Sequence, residues 1–225
     1  MVPKISLLSS LLPIIFFILC CSKTHIKGFW VIFFYSIASL LSDGFLAASE
    51  WANEHKFFLW NIFTFVEYSL LSYFFYLTIK LRIVRLTIIV ISIIFYIVFF
   101  SLNRTNHNQY NSLLSFISEV VILALCLIYF ISKMKQPVED SINIFNPEFL
   151  IVIALLLYVA CTLFLFIIAN HLSVKEMDEY WIITNYSNIL TNILFSTAFL
   201  LYRYQNKKSP TRESHSVDYT SPNDR

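Results

Sequence analysis

The sequence predicts an all-α, polytopic transmembrane helix bundle of about seven spans, with the N-terminus outside and the C-terminus in the cytoplasm. Three observations carry this expectation. Of the 225 residues, 58% are hydrophobic and 13% charged, whereas soluble domains run at roughly a quarter charged. The apolar residues arrive in blocks close to the ~20 residues a helix needs to cross hydrocarbon, not in the alternating segments of an outer-membrane barrel. Lys and Arg, finally, are shared unequally between alternate loops. Helix is the expected spanning element because hydrocarbon offers no partner to a backbone N–H or C=O, and a helix pairs both within one segment.

The blocks lie near residues 5–21, 29–48, 57–79, 83–102, 112–132, 149–169 and 181–201. The first follows Lys4 and ends at Cys20-Cys21. A cleaved or lipoprotein signal is its competing reading, but a signal enters with its N-terminus inside and would turn every basic loop outward. Ser22 to Gly28 separates it from the second block, and Ser49 to Lys56 separates the second from the third. Lys80-Leu81-Arg82 makes a short connection to the fourth, and the polar run Asn103 to Asn111 leads into the fifth. Lys133 to Glu148 precedes the sixth, where Asn146-Pro147-Glu148 fits a helix start: proline is accepted in the first turn and an acid is favoured there. The acidic stretch Asn170 to Tyr180 precedes the seventh. The polar segment 204–225 is too short to bury a core and reads as a disordered cytoplasmic tail.

Orientation follows from the basic residues. Twelve of the 16 Lys and Arg fall on the odd loops and the tail, and only Lys4, Lys56, Arg104 and Lys175 fall on the other side. Basic flanks are retained inside, so the odd side is cytoplasmic and the expected location is a bacterial inner membrane.

Several function classes drop out. A net charge of +2 spread over short loops offers no basic face for nucleic acid. Cys20, Cys21, Cys126 and Cys161 sit in or beside apolar runs without metal-ligand spacing and read as small hydrophobes. The five histidines, His25, His55, His107, His171 and His215, lie in loops or the tail, so no intramembrane His–carboxylate metal site can form. Neither a Ser/Lys pair nor a Gly-x-Ser-x-Gly elbow appears. No cofactor or metal is expected, and catalysis has weak support. Trp30, Trp51, Trp60 and Trp181 stand near span ends, where tryptophan anchors at the interface. With 2 glycines, and Pro13 the sole proline well inside a span, the helices read as continuous, unlike the broken helices common in transporters.

What remains is a set of polar groups at depth. Asp43 stands five residues from the outer end of its span, Glu67 ten and Glu119 seven, and at about 1.5 Å per residue these depths overlap. Asn61, Thr64, Glu67 and Tyr68 recur at helical steps on one stripe of the third span, as do Asn185, Asn188 and Asn192 on the seventh. Tyr158, Thr162 and Thr191 lie at similar depth. Two polar stripes facing lipid would be costly, so both are expected to turn inward and line a cavity open to the outside. The competing reading is helix-to-helix hydrogen bonding, worth about 0.6 kcal/mol per bond. For Glu67 and Glu119 that reading is weaker, since no Lys, Arg or His stands at depth as a counter-ion. The candidate ligand-binding residues are Glu67, Glu119, Asn61, Thr64, Asn188, Asn192 and Asp43.

The run Asn61-Ile62-Phe63-Thr64-Phe65-Val66-Glu67-Tyr68, the Asn-Pro opening of span six and the amide-rich Asn185 to Asn192 resemble a group of small, uncharacterised seven-span bacterial integral membrane proteins. The resemblance covers most of the chain and implies a shared fold and a shared polar belt. The topology also resembles that of rhodopsins, but span seven carries no lysine for a retinal Schiff base. The expected function is a non-catalytic sensory or signalling module that binds a small ligand or lipid in the outer polar cavity. Its expected partners are the bilayer and a cytoplasmic or membrane signalling protein. A solute or proton-coupled transporter is the alternative, and a lipid-directed membrane enzyme the third.

Overall fold

The computed structural model describes residues 2–21, 24, 26–48, 56–105, 112–134, 146–168 and 174–208. The five histidines, Trp51, the loops expected at 49–55, 106–111, 135–145 and 169–173, and the tail from 209 onward lie outside these residues. All described secondary structure is helical: α1 Val2–Ser9, α2 Leu11–Cys21, α3 Lys27–Ala48, α4 Lys56–Thr78, α5 Arg82–Thr105, α6 Ser112–Met134, α7 Pro147–Ile168 and α8 Val174–Lys208. The fold class is therefore all-α.

α1 and α2 form one rod interrupted at Ser10. Pro13 explains the interruption, because it lacks the N–H that would bond the Ser9 carbonyl and its ring crowds that carbonyl. The chain compensates with side chains. The hydroxyls of Ser9 and Ser10 both donate to the Ser6 carbonyl, at 2.7 and 3.3 Å. The Asn192 amide of α8 then donates to both hydroxyls, at 3.0 and 3.3 Å.

The close packings run α2 with α3, α3 with α4, α4 with α6, α6 with α7, α7 with α8, and α8 back onto α1 and α2. This closes a ring, and α5 lies outside it, packed chiefly on α4. The closing seam is aromatic. Phe17 stacks on Phe33 at 4.4 Å and meets Trp30 and Phe199 edge-on at 4.8 and 5.4 Å. Such offset and T-shaped pairs suit the ring quadrupoles. Below them Arg203 donates to the Leu19 carbonyl at 3.1 Å and Thr24 donates to the Tyr202 hydroxyl at 2.8 Å.

α6 buries a stripe, Ser115, Ser118, Glu119, Ile122, Leu125, Cys126 and Tyr129, whose three- and four-residue steps define one helical face. Thr64 of α4 meets Ser115 of α6 across it at 3.2 Å. α7 opens as the sequence suggests, with the Glu148 N–H donating to Asn146 Oδ1 at 2.9 Å, an N-cap preceding a first-turn proline. Its Ile151, Val152, Ala154, Leu155 and Val159 are fully buried.

Among the described residues, four helices are long and apolar enough to cross a membrane: α3 over Lys27–Phe45, α5 over Arg82–Leu102, α6 over Ser112–Met134 and α7 over Pro147–Leu165. Ile5–Cys21 is apolar but shorter. α4 and α8 have the length, at 23 and 35 residues, but carry the two polar stripes, which lowers their hydropathy. α8 also runs beyond the apolar block 181–201 at both ends. Backbone hydrogen bonding does not require apolar side chains, so a helix continues past its hydrophobic core wherever no breaker intervenes.

If the Asn192 clamp holds the interrupted rod, Asn192→Leu will lower unfolding stability by about 1 kcal/mol, two interhelical bonds being lost. Thr197→Val, which removes only an exposed intrahelical bond, will leave it within about 0.5 kcal/mol. Reversible denaturant unfolding in detergent measures both, and equal stability of wild type and Asn192→Leu would contradict the clamp.

Candidate functional site

The helical ring encloses a cavity of about 80 Å³ between α3, α4, α7 and α8. α3 contributes Ser39, Ser42 and Asp43, and α4 contributes Trp60, Phe63, Thr64 and Glu67. Tyr158 comes from α7, with Thr184, Asn185 and Asn188 from α8. These positions fall in the last half of α3 and the first half of α4, so the cavity lies toward the end of the ring where those two helices meet. Its volume exceeds the ~10–15 Å³ needed for one water, which leaves space for several waters or one small polar molecule.

Glu67 is the best-held acid. It is 9% exposed, and the Tyr35 hydroxyl of α3 donates to its Oε1 at 2.9 Å. The Tyr158 hydroxyl also hydrogen-bonds to it. Two phenols from two helices thus fix one carboxyl at the wall of the cavity, and buried polar groups are costly without such partners. Asp43 is half-buried and faces the same space from α3. Among the described residues the lining therefore has two carboxyl groups, several hydroxyls and amides, the aromatic rings of Trp60, Phe63 and Tyr158, and no Lys, Arg or His.

Glu119 lies behind this cavity. It is 4% exposed, hydrogen-bonded with Thr162 of α7, and its Oε2 is buried without a hydrogen-bond partner among the described residues. Glu119 and Glu67 interact electrostatically. Thr162 itself donates back to the Tyr158 carbonyl at 3.0 Å, so α7 touches both acids within one turn.

Of the seven residues singled out from the sequence, Asp43, Thr64, Glu67 and Asn188 line the cavity. Glu119 is adjacent to Glu67. Asn61 is buried at 4% exposure but is not part of the cavity wall. Asn192 is buried against Ser9 and Ser10, where it joins helices rather than facing the cavity.

The sequence reading missed Tyr35, Ser39 and Ser42. They share a stripe with Asp43, since positions 35, 39, 42 and 43 recur at three- and four-residue steps. That periodicity was the available signal, diluted by the apolar residues around it. Trp60, expected as an interfacial anchor, belongs to the cavity wall, and Thr184 stands one helical turn from Asn188.

Among the described residues no three His, Cys, Asp or Glu side chains lie close enough to hold a metal ion. The lining offers carboxyls and amides that accept or donate hydrogen bonds, and aromatic faces that attract a cation.

The Tyr35–Glu67 bond makes a direct prediction. A double-mutant cycle with Tyr35→Phe and Glu67→Gln will give a coupling energy of about 1 kcal/mol or more, read from unfolding in detergent. Strict additivity of the two single effects would remove this contact from the account of the site.

No protein-family model matches this chain, and no curated protein or solved structure is significantly similar to it, so the chemistry of the cavity must be read from its own residues.

Proposed function

We propose that this protein is a non-catalytic sensory or signalling module of the cytoplasmic membrane, in which the cavity between α3, α4, α7 and α8 takes a small ligand carrying positive charge. The observation that carries the reading is the charge imbalance of the lining, with Asp43 and Glu67 facing the same space and no basic side chain among the described residues of its wall. A cationic ligand compensates both acids, and Asn185 and Asn188 can orient it by hydrogen bonds.

In this reading the chain crosses the bilayer seven times. The Ile5–Cys21 rod, α4 and α8 join the four more apolar helices as spans, because their polar side chains are turned into the ring. The lysine and arginine asymmetry sets the N-terminus outside and the C-terminus in the cytoplasm, which opens the cavity outward. The basic cytoplasmic face, with Lys80, Arg82, Arg85, Lys133, Arg203 and Lys207, meets a signalling partner.

A second reading, proton- or cation-coupled transport, is favoured by one feature: Glu119 of α6 is a further buried acid with an oxygen left unpaired among the described residues. Against it stand the uninterrupted helices α3 to α8, since the one interruption, at Ser10, is already occupied by the Asn192 amide.

A thermal-shift screen of purified protein against small amines and inorganic cations tests the first reading. A ligand at a hundred times its dissociation constant adds about 2.7 kcal/mol of stability. The expected outcome is stabilisation of wild type that is lost in both Glu67→Gln and Asn188→Leu, with both variants still folded. Equal stabilisation of the variants would place binding elsewhere. Ligand flux in proteoliposomes, abolished by Glu119→Gln, would select the transport reading instead.

A further inference from the structure

A second concavity lies on the outside of the ring, between α4 and α5, with a volume of about 280 Å³. Its walls include Ser72, Tyr73 and Tyr76 of α4 and Ile89, Ser92 and Ile93 of α5. It exists because serines stand where the two helices face each other, too small to fill the space between them. Most of the nearby hydroxyls are spent on internal bonds, although Ser72 Oγ is buried without a partner among the described residues. Tyr68 and Ser92 share a hydrogen bond at 3.3 Å, and Tyr96 donates to Ser69 at 3.0 Å. What the groove offers is therefore the hydrocarbon of its walls. A helix with side chains is about 10–12 Å across and does not enter so small a slot, whereas a single alkyl chain does.

The groove leads to the α4–α5 connection, and that end is strongly basic. Lys80, Arg82 and Arg85 fall within six residues, with no acid among them and none anywhere on α5. Glu67, the only acid of α4, is turned into the ring. The Arg85 guanidinium lies 5.5 Å from the centroid of the Tyr76 ring, which itself walls the groove. One donor, Nε, goes to the Ile79 carbonyl at 2.8 Å, and a guanidinium has five N–H groups in all. Lys80 and Arg82 are exposed beside it.

We propose that the α4–α5 groove seats one acyl chain of an anionic phospholipid, whose phosphate is held by Arg85, Arg82 and Lys80. The hydrocarbon slot selects a lipid over free phosphate. Lys80 also shares the field of Glu148 of α7, so Arg82 and Arg85 carry most of the preference for an anionic headgroup over a zwitterionic one. Arg is suited to phosphate because its planar fork can donate two parallel bonds. The proposal also accounts for how α5 is retained: this helix, packed chiefly on α4, would be tied to the ring through a shared lipid.

Native mass spectrometry of protein extracted from vesicles of equal phosphatidylglycerol and phosphatidylcholine tests this. Wild type should retain one phosphatidylglycerol in clear preference to phosphatidylcholine. Each cation removed near the headgroup should weaken retention about fivefold, so the exposed double variant Lys80→Gln/Arg82→Gln should lose most of it, as should Arg85→Gln. Ser92→Phe, which fills the slot, should abolish retention with the basic cluster intact. Equal retention of the two lipids, or wild-type retention in the charge variants, overturns the proposal. So does phosphatidylglycerol bound only to dimers, which would make the groove a contact between copies. If inorganic phosphate raises thermal stability as much as phosphatidylglycerol does, and Ser92→Phe leaves that effect unchanged, the cluster is a phosphate site and the acyl seat is refuted.

Discussion

Hydrocarbon has no hydrogen bonds to give, and this single constraint organises the molecule. Each polar group in these helices has to find its partner inside the protein. Backbone groups do so within each helix. Side chains do so by convergence: α4 and α8, which carry most of the amides and one of the buried acids, take places in the ring where their polar stripes meet those of neighbours. α5 carries no acid and little that needs a partner, and it is the helix left on the outside, where Ile83, Leu86, Ile94, Ile97 and Phe100 stay exposed. Position in the bundle thus follows from the polarity of each helix.

The same constraint explains why the ring is filled unevenly. Its seam between the first and last helices is closed by aromatic rings around Phe17 and Phe199, where dispersion and ring quadrupoles supply the attraction that the hydrophobic effect cannot supply between helices in lipid. Its other side, between α3, α4, α7 and α8, is lined by hydroxyls, amides and carboxyls that satisfy one another only in part. Glu67 has two phenolic partners, whereas Glu119 keeps an unpaired oxygen. Natural proteins hold such incompletely satisfied groups at a cost in stability, and function is the usual reason they persist.

Much of this was legible in the sequence for one physical reason: length and polarity of apolar runs are local properties. Helices stand at all seven predicted blocks, and the Asn146-Pro147 start of α7 follows from capping chemistry alone. The stripe Thr64–Glu67 and the turn Asn185–Asn188 could be aimed inward because a polar face has nowhere else to go. What could not be read is which stripes share a neighbour. Asn192 continues the periodicity of Asn188, yet it faces the interrupted α1–α2 rod, because one turn of α8 is enough to pass from the cavity to the next helix of the ring. Tyr35 shares a stripe with Ser39, Ser42 and Asp43 that apolar residues dilute, and only the packing of α3 on α4 reveals it as the partner of Glu67. The exclusion of α5 from the ring was equally invisible, since a hairpin neighbour in sequence is normally a neighbour in the bundle.

The closing seam carries a consequence for biosynthesis. Asn192 meets Ser9 and Ser10 across 183 and 182 residues of chain, and Thr24 meets Tyr202 across 178. The first rod is therefore translated long before α8, whose Asn192 amide meets its serine hydroxyls. Through that interval Ser9 and Ser10 have only the Ser6 carbonyl to turn to, and the groove between the first helices stands open along one side. Until α8 docks, Ser9, Ser10, Thr24 and Phe17 lack the partners that close the seam, so a chain interrupted before α8 keeps this face of the bundle unsealed.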